Sequence, residues 1–149
     1  MEEHKPSKFV VVGSIPTKCN IFMIQMGTIL NVVDNSGAKT VICIKTSKGF
    51  KSNHAKLGNT VLVSVRTLRG KRKLNLTIHK GDICKALIIK TKVIKRNLYG
   101  ESTRFLDNGV VLLTKQNKFL FSRVFGLIPN IIRYTKYMRI VSLSAGLIR

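Results

Sequence analysis

The stretch from Lys80 to Leu113, KGDICKALIIKTKVIKRNLYGESTRFLDNGVVLL, limits what this chain can fold into more than any other. Side chains alternate faces along a strand, so between Asp82 and Lys92 the residues Cys84, Ala86 and Ile88 point one way and Ile83, Leu87 and Ile89 the other. Both faces have something to bury. The same strand ends in Lys90, Lys92, Lys95 and Arg96 before a Tyr99-Gly100 turn, and Arg104 returns beside them. A strand that is apolar on both sides and runs into a basic turn predicts a hairpin rooted in a barrel, with a cationic arm whose Lys95 and Arg96 reach furthest out.

A cationic arm calls for an anionic partner, and the composition asks for the same. Lys and Arg number 27 against 6 Asp and Glu in 149 residues, a net charge of +21. Charge of one sign opposes a compact fold unless a polyanion neutralises it, and nucleic acid is the first candidate. The 44% hydrophobic content and the length fit one domain with a real core. A membrane span is excluded, because the longest uncharged run, Cys19 to Val33, is short and interrupted by Asn20, Gln25 and Asn31.

Other strands follow from local chemistry. Thr28 to Val33 and Ala38 to Thr46 are β-branched and apolar around Asp34-Asn35-Ser36-Gly37, where Asp and Asn cap their own backbone and Gly accepts positive φ. This predicts a hairpin with no direct chemistry at the turn. Thr60 to Arg66 alternates, with Val61, Val63 and Val65 inward and Leu62 on the outer face. Gly109 to Thr114 and Phe119 to Phe121 read as the last strands, joined by a polar turn from Lys115 to Lys118. Pro129 marks the entry to a helix, in which Ile131, Ile132 and Tyr134 form an apolar face opposite Arg133 and Lys136.

The connecting segments carry the rest of the charge. Lys45, Lys48 and Lys51 frame a polar loop in which His54 is expected to be exposed. Arg66, Arg69, Lys71, Arg72 and Lys73 surround Gly70, and no acid occurs between Asp34 and Asp82, so local pairing cannot neutralise this run and phosphate contact is favoured. Residues 1–22 contribute little charge and are expected to be an extension, with Phe9 to Val12 at most a brief strand. They carry Glu2 and Glu3 and no Arg, unlike an Arg-rich import presequence.

Catalysis and cofactors are not expected. Beyond the extension only Asp34, Asp82, Glu101 and Asp107 are acidic, none paired at a telling spacing, and no Gly-rich phosphate loop or Ser-His-Asp arrangement occurs. Cys19, Cys43 and Cys84 are too far apart for a zinc site or redox pair and read as buried or incidental thiols.

Several of these blocks together resemble a known family. Ala86 to Ile89 followed by Gly100, Phe105, Asn108, Val111 and Leu112, with Leu30 to Ala38, Lys80-Gly81-Asp82 and Arg123-Val124-Phe125-Gly126 in the same order, is similar to the universal L-fourteen family of large-subunit ribosomal proteins. The resemblance covers roughly Met23 to Leu143. Tyr99 departs from the Asp, Asn or Ser usual there, and the loop at Arg66–Lys73 is a few residues longer. It implies a domain over residues 23–149: a small closed five-stranded β-barrel with a projecting basic hairpin and short C-terminal helices.

The resemblance also implies a structural constituent of the large ribosomal subunit. Its expected partners are large-subunit RNA, neighbouring proteins of the L-three and L-nineteen families, small-subunit RNA across an intersubunit bridge, and a ribosome silencing factor. The residues it offers to RNA are Asn31, Asn35, Ser36 and Lys39, with Arg123, Arg133 and Lys136 joining the loop and arm cations. The alternative is a free OB-like or cold-shock-like RNA chaperone, which stacks bases on several surface aromatics; aromatic content here is 7%. A composition rich in Ile, Lys and Asn fits an organelle gene, so a mitochondrial ribosome is expected, with plastid or bacterial cytoplasm as alternatives.

Overall fold

A computed structural model describes residues 24–47, 54–70, 78–96, 100 and 102–148. Five strands close into a barrel: β1 (Ile29–Val32), β2 (Ala38–Thr46), β3 (Thr60–Leu68), β4 (Ile83–Lys90) and β7 (Gly109–Leu113), hydrogen-bonded in that order. Neighbours are antiparallel except at the closure, where β7 runs parallel to β1 with Asn31 opposite Gly109 and Val32 opposite Val110. Register shifts between β2 and β3 and between β4 and β7 mark the bulges that let short strands curl.

The interior holds Leu30, Val32, Val41, Cys43, Val61, Val63, Val65, Cys84, Ala86, Ile88, Val110 and Leu112, one face of each strand. The opposite faces of β4 and β7 are just as dry. Leu87, Ile89, Val111 and Leu113 pack under Phe121, Val124, Ile128, Ile132, Tyr137 and Ile140 from the C-terminal segment. This second layer is why β4 and β7 are apolar on both sides. Ile83 departs from the expected pattern: it lies at the start of β4 beyond the C-terminal layer and is 53% exposed.

That layer also corrects the reading of the C-terminus. Phe119 makes only an isolated bridge to Leu113, and Phe119–Phe121 forms no strand. The Asn35 carboxamide oxygen accepts the backbone N–H groups of Ser122 and Arg123 at 3.0 and 3.1 Å, which steers the chain away from β7. Beyond it, β8 (Val124–Pro129) pairs in parallel with β9 (Ser144–Ile148) across a 3₁₀ turn at Asn130–Tyr134 and a short helix α1 (Arg139–Leu143). Pro129 does stand at the entry of the 3₁₀ turn, and Ile132 is buried beneath it, but Tyr134 is 85% exposed and belongs to no apolar face.

The hairpin arm is present as β5 (Lys95–Arg96) against β6 (Ser102–Thr103). Its base is fixed to the barrel: Phe105 N–H donates to the Thr91 carbonyl at 3.1 Å, and Lys92 N–H donates to Asn108 Oδ1 at 2.9 Å. The turn residue Tyr99 and the extension at residues 1–22 lie outside the described residues. At the other end of the arm's return strand, Gly109 is needed for space. A Cβ there would lie 2.7 Å from Val33 Cγ2 and 3.1 Å from Lys90 Cβ, closer than side chains tolerate.

Candidate nucleic-acid interface

At the β1–β2 turn the polar groups are used up by the fold. Asp34 is fully buried, and its carboxylate accepts from Ser36 N–H at 2.9 Å, from the Ser36 hydroxyl, and from Leu112 N–H on β7 at 2.7 Å. Burial pushes its carboxyl above the ordinary 3.8, against the pull of those hydrogen bonds and of nearby Arg69. Gly37 closes the turn at φ 97°. Ser36 is therefore buried and turned inward, and Asn35 is committed through both ends of its carboxamide, its Nδ2 donating to Ser122 Oγ at 2.8 Å. Ser36 is thereby withdrawn from the surface, whereas Asn35 stays exposed with one amide hydrogen not used in these bonds. Asn31 and Lys39 remain exposed.

Two cations are also engaged internally. Arg69 donates to the carbonyls of Val32 at 2.5 Å and Asp34 at 3.2 Å, and its guanidinium lies 5.3 Å from the Phe125 ring centre. It clamps the end of β3 onto the turn. Lys90 is half-buried; its ammonium donates to the Phe125 carbonyl at 3.3 Å and lies 5.8 Å from the Phe105 ring centre. Burial lowers its pKa, with Asp107 opposing. Lys95, expected at the outer reach of the arm, is half-buried instead. Its pKa is lowered by burial and then by the like charge of Lys56.

Lys85 is half-buried and donates to Asn117 Oδ1 at 3.1 Å, while most other described cations face solvent. Lys45, Arg66, Lys92, Arg96, Arg104, Arg123, Arg133 and Lys136 are exposed, on β2, β3, the arm and the C-terminal segment. Arg104 Nε donates to the Lys92 carbonyl at 3.1 Å, which aligns the arm's return without meeting an anion. Lys48, Lys51, Lys71, Arg72 and Lys73 lie outside the described residues. Lys56, Lys80, Lys115, Lys118 and Arg139 are exposed as well and widen the basic surface beyond the residues singled out in the sequence. The scarcity of acids on either side of them was the available signal.

Little on the protein answers this charge. Among the described residues the acids are Asp34, Asp82 and Asp107, and the one ion pair joins Asp82 to His79 at 3.7 Å, with no Lys or Arg in it. No group of three His, Cys, Asp or Glu side chains among them could hold a metal ion, and no helix is long and apolar enough to cross a membrane. Cys43 and Cys84 are free and buried, and burial pushes the Cys84 thiol up to about 11, with Asp34 and Asp82 adding to the rise. His54 is half-buried rather than exposed. Chemically the surface can do one thing well: hold extended anions at many points.

The closed five-stranded barrel, the β5–β6 arm and the short C-terminal elements correspond to what the sequence resemblance implied. Residues 23–148 match the family model of ribosomal protein L14p/L23e, most of the chain, and the chain belongs to that family of large-subunit ribosomal proteins.

Proposed function

We propose that this large-subunit protein is a scaffold that presents cations to ribosomal RNA. The observation that carries the reading is the imbalance just described: among the described residues exposed Lys and Arg side chains are many and none is paired with a carboxylate. Lys39, Lys45, Arg66, Lys92, Arg96, Arg104, Arg123, Arg133 and Lys136 contact phosphates, with Asn31 as a neutral contact, and the sequence adds Lys48, Lys51, Lys71, Arg72 and Lys73 to the candidate contacts. The deep groove of A-form RNA is closed to side chains, so selectivity comes from the fit of a fixed surface to backbone and 2′-hydroxyls.

Membership in the family supports the wider assignments. The neighbours are proteins of the L-three and L-nineteen families, small-subunit RNA lies across an intersubunit bridge, and a silencing factor docks on the same subunit face. A mitochondrial ribosome is supported by composition alone, which is rich in Ile, Lys and Asn. Residues 1–22 form an extension to a single domain over residues 23–149. A free RNA chaperone is less well supported, because the large exposed aromatics among the described residues are few, Phe125 and Tyr134.

Cross-linking of native large subunits tests this reading. Peptides containing Lys92 and Arg104 are expected to carry large-subunit RNA adducts. Adducts confined to proteins, with the basic peptides free of RNA, would overturn it. The cell fraction that yields the subunits decides the compartment.

A further inference from the structure

Between the turn before β3 and the segment that follows the 3₁₀ turn lies a notch of about 170 Å³, lined by Ser47, Asn59, Thr60, Thr135, Lys136 and Tyr137. Its two walls come close: a Cβ on Gly58 would lie 3.3 Å from Thr135 Cγ2. Two buried polar atoms of lining residues, Asn59 Nδ2 and the Tyr137 hydroxyl, have no hydrogen-bond partner among the described residues. Tyr137 is 6% exposed. A buried donor without a partner costs a large part of its hydration, so the residue pair is hard to explain by packing alone. The tyrosine ring would pack as well without its hydroxyl, 6.3 Å from Phe119 between ring centres.

The chemistry of the lining favours an oxyanion. Asn59 Nδ2 can only donate, the phenol can donate, and the hydroxyls of Ser47 and Thr60 add two more donors. Lys136 places its ammonium 5.2 Å from the Tyr137 ring centre, and no carboxylate lines the notch. A cation is excluded by that charge, while a space that holds several waters also holds a tetrahedral oxyanion. The surroundings extend the path: Asn59 N–H donates to the Lys56 carbonyl at 3.1 Å in the same turn, and Lys56 is the residue whose charge acts on Lys95 of the arm.

We propose that this notch seats one phosphate group, with Asn59 Nδ2, the Tyr137 hydroxyl and the Lys136 ammonium as its donors. The phosphate is a phosphodiester of bound RNA or a free phosphate ion; the first source rests on the RNA-binding reading above, the second does not. The walls part slightly on binding, which exposes the two buried donors to the ligand.

The test titrates the full-length chain with inorganic phosphate and, separately, with a single-stranded RNA oligonucleotide, following the Asn59 side-chain amide by NMR. Phosphate is expected to move that amide and to bind the Lys136→Gln/Tyr137→Phe variant about tenfold more weakly, the usual scale for hydrogen bonds to a charged group. Lys136→Gln alone, which keeps the Tyr137 hydroxyl and the Asn59 amide, should show part of the loss. A shift with RNA identifies the phosphodiester, and a shift with phosphate only identifies the free ion. If neither ligand moves the Asn59 amide, or if the variants bind as tightly as the parent, the notch holds only water and the proposal is overturned. RNA that binds with a steep salt dependence but leaves Asn59 unmoved removes the phosphodiester while leaving the wider RNA-binding reading intact.

Discussion

Asp34 in the barrel and Arg96 in the arm show how differently the two regions treat charge. Asp34 is fully buried, and its own chain supplies hydrogen bonds from Ser36 and Leu112 together with the nearby Arg69. Arg96 is exposed on a two-residue strand and meets no carboxylate among the described residues. The barrel closes its accounts internally, through apolar layers on both sides of β4 and β7, whereas the described cations of the arm and loops have no carboxylate partner among the described residues. A region of the first kind sets stability and one of the second sets affinity. Variants should divide along that line.

The largest expected effect is in the core. Ile88 is fully buried in the barrel interior, so Ile88→Ala should destabilise the fold by about 2–5 kcal/mol, read as a lower denaturant midpoint. An unchanged midpoint would show that the interior layer does not carry the fold. Gly109→Ala follows: its Cβ would meet Val33 and Lys90, and overpacking of this kind costs about 1–3 kcal/mol in the same assay. Neither change should alter the salt dependence of RNA binding by the folded protein.

Asp34 gives a pH signature confined to the barrel. Its pKa is raised on folding, mainly by burial, so the unfolded chain releases the proton first as pH rises. This group's contribution to stability is therefore fully present below the ordinary value of 3.8 and is lost as pH rises through the folded-state pKa. Unfolding of parent and Asp34→Asn, compared at a series of pH values, should show the parent losing stability relative to the variant as pH climbs above 3.8. A parallel pair of curves would mean that Asp34 titrates alike in both states.

The smallest effect sharpens the comparison most. Lys90 and Lys92 are two residues apart at the root of one arm, yet Lys90 is turned onto Phe125 and Phe105 while Lys92 is exposed. Lys90→Met should change RNA affinity little, less than Lys92→Gln does under the same salt. The reverse order would place the working cation on the inner face.

Much of the barrel could be read from the sequence because its signals are local. The alternation of Val61, Val63 and Val65, the two-sided run from Cys84 to Ile89, and the Asp34–Gly37 turn each state their structure within a few residues. The β8–β9 pair could not be read that way. Phe125 and Leu127 are exposed around Gly126, which breaks any alternation, and the parallel partner lies across the 3₁₀ turn and α1. The same reason separates the candidate contacts. That Arg104 and Lys136 are exposed follows from their sequence surroundings. That Asn35 caps Ser122 and Arg123, that Arg69 reaches Val32, and that Lys90 meets Phe125 depends on groups brought together from 35 or more positions away, which only the folded chain reveals.

The central claim, that the arm is a phosphate contact held out by an independent barrel, is tested most directly by the salt dependence of binding to large-subunit RNA. The parent is compared with a variant in which Lys92, Lys95, Arg96 and Arg104 are all replaced by Gln. The parent's affinity should fall steeply as salt rises. The variant should unfold at nearly the parent's midpoint yet bind more weakly, with a log–log slope shallower by about 0.7–0.9 for each phosphate contact removed. Equal slopes and equal affinities in the two proteins would contradict the account.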